Sequence, residues 1–234
     1  MKKIVGIISV ACVIFIGFFV AVSMCAEVLA SKEVFALSSS VKIVIDAGHG
    51  GIDGGVSGIN TGLKESDINL KIALKLSEKL RSRGFETALT RKTKEGLYDT
   101  TAKGFKRRDM ARRKEIIERE SPALLLSVHQ NYYSSSLERG GQVFYLKGDE
   151  ADKTLASNLQ GRLNALYEKE GVKGRKIMPA DYYILACAPC PAALVECAFM
   201  SSPKDEALLL DDAFLSSLVD GICDGVTDYL FSCA

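Results

Sequence analysis

Apolar residues fall into two kinds of run along this chain, and their alternation predicts the fold. Short continuous runs occupy Lys42 to Asp46 (KIVID), Ala123 to Val128 (ALLLSV) and Ala192 to Glu196 (AALVE). Such runs, without strict alternation, suit strands covered on both faces of a sheet. Phe85 to Thr90, Gly141 to Leu146 and Tyr182 to Leu185 are further strand candidates. Segments of helical period lie between them. Lys64 to Arg83 places Ile68, Ile72, Leu76 and Leu80 four apart and stops before Gly84, a fitting C-terminal cap. Lys106 to Glu120 is a charged helix with a thin apolar face of Met110, Ile116 and Ile117, and Glu150 to Lys169 and Asp212 to Leu230 are two more. Strand, helix and strand between 42 and 90 imply a parallel crossover. The pattern predicts an α/β fold: a mostly parallel, twisted central sheet flanked by helices on both faces, in a single domain over 41–234.

The amino-terminal end breaks this pattern. After Met1-Lys2-Lys3, the run Ile4 to Ala26 is uncharged and largely apolar over 23 residues. Two lysines before an apolar core, with small residues near its end, read as a signal peptide over 1–26. The same length would span a bilayer as a retained membrane anchor. Either reading sends the rest of the chain across the cytoplasmic membrane. A buried core helix is a poor alternative, because nothing gives the run a polar face. Met24 stands where a lipoprotein site at Cys25 would want a small residue. Residues 27–40 read as a short linker.

Composition changes the picture only a little. At 47% hydrophobic and 25% charged, the chain is ordinary globular protein plus that one end. Removing Lys2 and Lys3 from the 30 basic residues leaves 28 against 29 acidic ones, which makes no case for a nucleic-acid partner. The segment Lys103 to Lys114 (KGFKRRDMARRK) concentrates seven Lys or Arg with one Asp. It reads as a solvated helix face, or as a rim that attracts an anionic polymer such as a cell-wall glycan.

The candidate chemistry centres on VKIVIDAGHGG (41–51). His49 and His129 are the only two histidines of the chain, and each is expected in a loop just past a buried strand. Parallel α/β sheets carry their functional groups at the carboxyl ends of strands. Two imidazoles and a carboxylate are a common catalytic zinc set, with a fourth position kept for water. Glu65 is the favoured carboxylate, since the glycine-rich loop from His49 returns across the sheet top to start a helix there. Asp46 and Asp53 compete with it, Asp46 being the better candidate for supporting a histidine or its own loop. Glu196 ends another apolar run, where a charge is costly unless paired or near a metal. It reads equally as a general base and as half of a buried ion pair.

Four separated motifs carry a resemblance. DAGHGG (46–51), the glutamate of LKESDINL (63–70), SVHQN (127–131) and ALVECAFMSS (193–202) together resemble the zinc-dependent N-acetylmuramoyl-L-alanine amidases, in order, over nearly all of residues 41 to 231. The resemblance puts the family's zinc ligands on His49, Glu65 and His129, one Zn2+ per chain, and its catalytic glutamate on Glu196. It implies hydrolysis of the amide between the lactyl group of N-acetylmuramic acid and L-alanine in peptidoglycan, with Glu196 carrying the proton to the leaving amine. The short architecture and the basic segment are similar to the germination-specific, CwlD-type amidases of spore-forming bacteria. That similarity implies action in the cell wall or the forespore intermembrane space during spore cortex synthesis, where stem removal precedes muramic-δ-lactam formation. An accessory exported protein or lipoprotein is a further implied partner, with membrane contact only through residues 4–26.

Departures and leftovers remain. Tyr132 follows Asn131 where the family usually has Ala, and Cys197-Ala198-Phe199-Met200-Ser201-Ser202 replaces a segment usually carrying Gly and Asn. Cys187-Ala188-Pro189-Cys190 is a CxxC for which a disulfide or redox pair is open; small, semi-buried thiols are the favoured reading. A second zinc there would need two more ligands, and both histidines are taken. Two other functions stay in view: a peptidoglycan-binding protein with the same fold and little activity, and a zinc hydrolase of another exported amide.

Overall fold

The computed structural model describes residues 41–232. The expected export segment and linker lie outside the described residues, as does Cys233. No helix among the described residues is long and apolar enough to cross a membrane.

Six strands form one sheet: β1 (Lys42–Ala47), β2 (Glu86–Leu89), β3 (Leu124–Asn131), β4 (Gln142–Leu146), β5 (Met178–Ala180) and β6 (Ala192–Phe199). Their order is β2-β1-β3-β6-β4-β5, parallel throughout except for the β4–β6 pair. The helices are α1 (Glu65–Ser82), α2 (Phe105–Glu120), α3 (Glu150–Glu168), α4 (Tyr183–Ala186), α5 (Pro203–Leu210) and α6 (Asp212–Ser232). The predicted α/β domain with a mostly parallel sheet is the one observed.

The unbroken apolar runs are explained by two covered faces. Ile43, Ile45, Leu124, Leu126, Ala193 and Val195 pack in one large core with α1, α3 and α6. Their neighbours of opposite parity, Val44, Leu125, Ala192 and Leu194, pack in a smaller core with Ile117 of α2 and with Ile184 and Leu185 of α4. On α1, the stripe Ile68, Ile72, Leu76 and Leu80 is buried, each side chain contributing about 1.5–3 kcal/mol. The helix ends as expected, with Gly84 in the left-handed region (φ 93°) and its N–H bonded to Arg81 O.

One local expectation fails, and two elements go unpredicted, for identifiable reasons. Tyr182 to Leu185 is not a strand: Tyr183–Ala186 closes a single helical turn through Ala186 N–H to Tyr182 O. A four-residue apolar run carries no period that could have decided this. β5 escaped notice because Pro179 lies inside it, and an edge strand tolerates that. α5 escaped because it is short, although Ser202 at its N-cap, Pro203 after it and the acidic Asp205 and Glu206 in its first turn are all start signals.

Candidate metal centre

Strand parity selects the polar groups of the site. On β1, β3 and β6 the positions facing the smaller core run on, at the carboxyl ends, into Asp46, Ser127, His129 and Glu196. β3 extends through His129 to Asn131, so His129 lies on the strand and not in a following loop. It sits directly opposite Glu196 in the parallel register, just before the ladder slips. His49 does lie past its strand, in the turn after β1, with φ of 60°.

That φ is uncommon for a residue with a side chain and needs surroundings that over-determine it. Two buried arginines supply them by holding three consecutive carbonyls. Arg91 donates from Nε to Ala47 O at 2.9 Å and from Nη2 to Gly48 O at 2.9 Å and Ser66 O at 2.8 Å. Arg113 donates from Nη1 to Ala47 O at 2.8 Å and from Nη2 to His49 O at 2.6 Å. Gly48 is obligatory for a different reason: a Cβ there would meet the His129 ring at 2.2 Å.

Glu65 opens α1 and is nonetheless buried. Its Oε1 accepts from the backbone N–H of Gln130 at 3.1 Å and from Asn69 Nδ2 at 3.3 Å, and lies 2.9 Å from His129 Nδ1. Its Oε2 accepts from Val56 N–H at 2.9 Å and lies 3.3 Å from His49 Nε2. Burial would raise this carboxyl, but its bonds to the two histidines hold it well below the usual range. His49 turns its other nitrogen, Nδ1, to Asp53 at 3.1 Å. Asp53 is therefore the group that supports a histidine. Asp46 is not: it accepts from Arg113 at 2.6 Å, Thr90 at 2.7 Å and Ser127 at 2.8 Å. Burial would raise Asp46, and Arg113, then the Thr90 hydroxyl, outweigh it to leave the carboxyl at about 2.

His49, Glu65 and His129 each offer one ligand atom, and these atoms all lie within 4.8 Å of one another. Two imidazole nitrogens and a carboxylate oxygen so grouped suit a zinc ion with one position left for solvent. Glu196 makes no ion pair, and its Oε2 is buried without a hydrogen-bond partner among the described residues. Burial, opposed by His129 and reinforced by the charge of Glu65, pushes its carboxyl up to about 7. The cleft beside these groups encloses about 360 Å³. Lys106, Met110 and Arg113 of α2 and Asp53 line it, as do Tyr182 and Tyr183 at the start of α4.

The basic segment splits into separate roles. Arg113 is buried in the site and bonded to Asp46 and Asp109. Arg108 holds the preceding loop through Asp99 and three carbonyls, and Arg112 and Lys114 make pairs along the helix. Lys106 alone of the seven reaches the cleft wall unburied. Sequence reasoning missed Arg91 and Arg113. The signal for Arg113 was its phase: Asp109, Arg113 and Ile117 form one line of α2, the line that is buried. Cys187, Cys190, Cys197 and Cys223 are free thiols, the first two half-buried, in line with the favoured reading.

A carboxylate left unpaired beside a cluster suited to a cation is an arrangement for metal-assisted hydrolysis, and comparison with known proteins narrows the class. Residues 43–228 match the N-acetylmuramoyl-L-alanine amidase family, and the chain belongs to it. The germination-specific N-acetylmuramoyl-L-alanine amidase of Bacillus subtilis (strain 168) is 29% identical over 203 residues, 85% of this chain and 84% of that one. The CwlD amidase of Clostridioides difficile, solved in complex with the GerS lipoprotein, matches with a TM-score of 0.78 at 33% identity over 82% of this chain and 100% of that one. The catalytic domain of CwlV from Bacillus (Paenibacillus) polymyxa var. colistinus matches with a TM-score of 0.71 at 29% identity, covering 82% and 98%.

Proposed function

We propose that this amidase cleaves the bond between N-acetylmuramic acid and L-alanine with one zinc ion held by His49, Glu65 and His129, and with Glu196 as general base. The observation that carries the reading is the pairing of His129 with Glu196 across adjacent strands, one in the donor cluster and the other unpartnered. Bound in that cluster, zinc would polarise the scissile carbonyl and lower the pKa of water. The remaining work falls to the chain. Glu196 takes the proton of the attacking water and returns it to the departing L-alanine nitrogen; a carboxyl raised toward neutrality by burial suits both transfers. Asp53 holds the His49 ring so that Nε2 faces the cluster, and Arg91 and Arg113 hold the turn that carries it. Tyr182 and Tyr183, at the start of α4, line the same cleft.

The physiological setting follows the same relatives. Similarity to a germination-specific amidase and to CwlD supports a role in spore cortex synthesis, on the way to muramic δ-lactam. The CwlD structure with a lipoprotein supports an accessory lipoprotein for this chain too. Export by residues 1–26, cleaved or kept as an anchor, would bring the domain to the wall or the forespore intermembrane space. The test is to incubate zinc-loaded protein and its Glu196→Gln variant with peptidoglycan and assay new amino-terminal L-alanine. The wild type should release it and the variant should fall by at least about a hundredfold. Equal release would dismiss Glu196, and release of acetate or of internal peptide would dismiss the substrate.

A further inference from the structure

The cleft holds one cation whose donors are not already spent. Every guanidinium nitrogen of Arg113 is bonded to Asp46, Asp109 or the carbonyls of Ala47 and His49. Lys106 lines the same cleft with its side chain 66% exposed, and among the described residues its ion-pair partner is Asp53 at 3.3 Å. An ammonium has three donors, so two remain for a ligand. Its position is fixed from the chemical centre outward, since the Asp53 that it touches also contacts His49 Nδ1 at 3.1 Å. Lys106 thus stands two polar contacts from the donor cluster. A peptide advances at most about 3.5 Å per residue, so that interval matches one or two residues beyond a scissile bond at the cluster.

Resting on the amidase reading above, we propose that Lys106 is a specificity residue that recognises the stem peptide through the free α-carboxylate of its second residue. In peptidoglycan that residue is a γ-linked D-glutamyl unit, whose α-carboxyl is either free or amidated. A free carboxylate can take the two spare ammonium donors in charge-assisted bonds; an amide presents a neutral oxygen and two N–H groups that the ammonium repels. Tyr182 and Tyr183, exposed aromatics of the same cleft, bring no charge of their own, which leaves Lys106 as the exposed cation among the residues that line it. Asp53 keeps its bond to His49 when Lys106 turns to the ligand, so recognition does not disturb the donor cluster.

The experiment compares N-acetylmuramyl-L-alanyl-D-glutamate with N-acetylmuramyl-L-alanyl-D-isoglutamine as substrates of the zinc-loaded protein. The wild type should favour the free acid about tenfold or more in kcat/KM, mostly through KM. Lys106→Met should reduce the ratio to below about twofold, and Lys106→Arg should keep most of it, as expected for a charge-assisted contact. The same two ligands, titrated calorimetrically into the Glu196→Gln protein, should show the preference in Kd without turnover. A wild type that treats the two alike in both assays, or a preference that survives Lys106→Met, overturns the proposal. If wild type exposes no new amino-terminal L-alanine on either ligand or on whole peptidoglycan, the amidase reading fails separately, while the binding preference still judges Lys106.

Discussion

Replacing Arg113 by Met should be among the most damaging single changes in the domain, and the damage should depend on pH. The methionine keeps the stem that packs in α2 but removes the guanidinium between Asp46 and Asp109, each 2.6 Å away. Arg113 and Asp46 side chains are each 2% exposed, so solvent cannot replace the lost partner. Breaking a buried pair by removing one member costs about 3–5 kcal/mol, a large part of the ~5–15 kcal/mol that holds a domain folded. The Asp46 carboxyl supplies a cross-check. Its shift from 3.8 to about 2 corresponds to about 2–3 kcal/mol of stability at neutral pH. A depressed carboxylate gives that stability above its unfolded pKa and loses it as pH falls from about 4 toward 2. Without Arg113, burial dominates and the carboxyl rises above its unfolded value, so the sign reverses: its cost then grows as pH rises through the new pKa. Urea denaturation of wild type and Arg113→Met at pH 7 and pH 4 reads both effects. The deficit should be about 3–5 kcal/mol at pH 7 and clearly smaller at pH 4, and adding Asp46→Asn to the variant should recover part of it. A deficit under about 1 kcal/mol, or one equal at the two pH values, would refute the reasoning.

Three further outcomes follow from the site. His49→Ala should lower zinc to well below one ion per chain by elemental analysis while the circular dichroism of the fold persists; full zinc content would remove His49 from the ligand set. Gly48→Ala should displace the His129 ring, because the new Cβ would lie 2.2 Å from it, and zinc affinity by chelator competition should drop by about tenfold or more. The rate should decline on the acid side as Glu196 takes up its proton, since a base must be unprotonated to accept one. With its carboxyl at about 7 in the metal-free protein, and a bound dication stabilising the anion, the acid limb of kcat/KM should have its midpoint at or below pH 7 and should vanish from the residual rate of Glu196→Gln.

Much of the domain was legible because two covered faces leave a plain mark in sequence. Ile43-Val44-Ile45 and Leu124-Leu125-Leu126 can be uniformly apolar only if both parities are buried, and they are. The four stripe residues of α1 were equally plain, because each lies one turn from the next. His49, Glu65, His129 and Glu196 could be named from strand ends and motifs, but their mutual distances could not. The supporting groups were harder to see. Arg113 looked like one of seven basic residues on a wet helix, since sequence does not say which line of a charged helix turns inward. Asp53, weighed only as a rival ligand, supports His49, and Asp46 bonds to Arg113 instead of a histidine, because a carboxylate's partner depends on the fold: Asp46 faces the sheet interior and α2, and Asp53 sits where the loop doubles back over His49. Tyr182 and Tyr183, assigned to a strand, became a wall of the cleft once one helical turn moved them outward.

The dispersal of the site along the chain has a consequence for when chemistry becomes available. Glu65 and His129 meet across 64 positions, Arg113 and His49 across 64, and Asp46 and Ser127 across 81. No local segment can assemble any of these contacts, and each must wait for closure of a long loop, the slow class of folding event. A nascent chain therefore carries no fragment able to gather the donor cluster, and the amidase is inert until the sheet is complete. The dependence also runs the other way. A ligand that binds only the folded chain stabilises it by about 4 kcal/mol at a thousandfold excess over its Kd, so a cation taken up by the donor cluster would also lengthen the life of the fold.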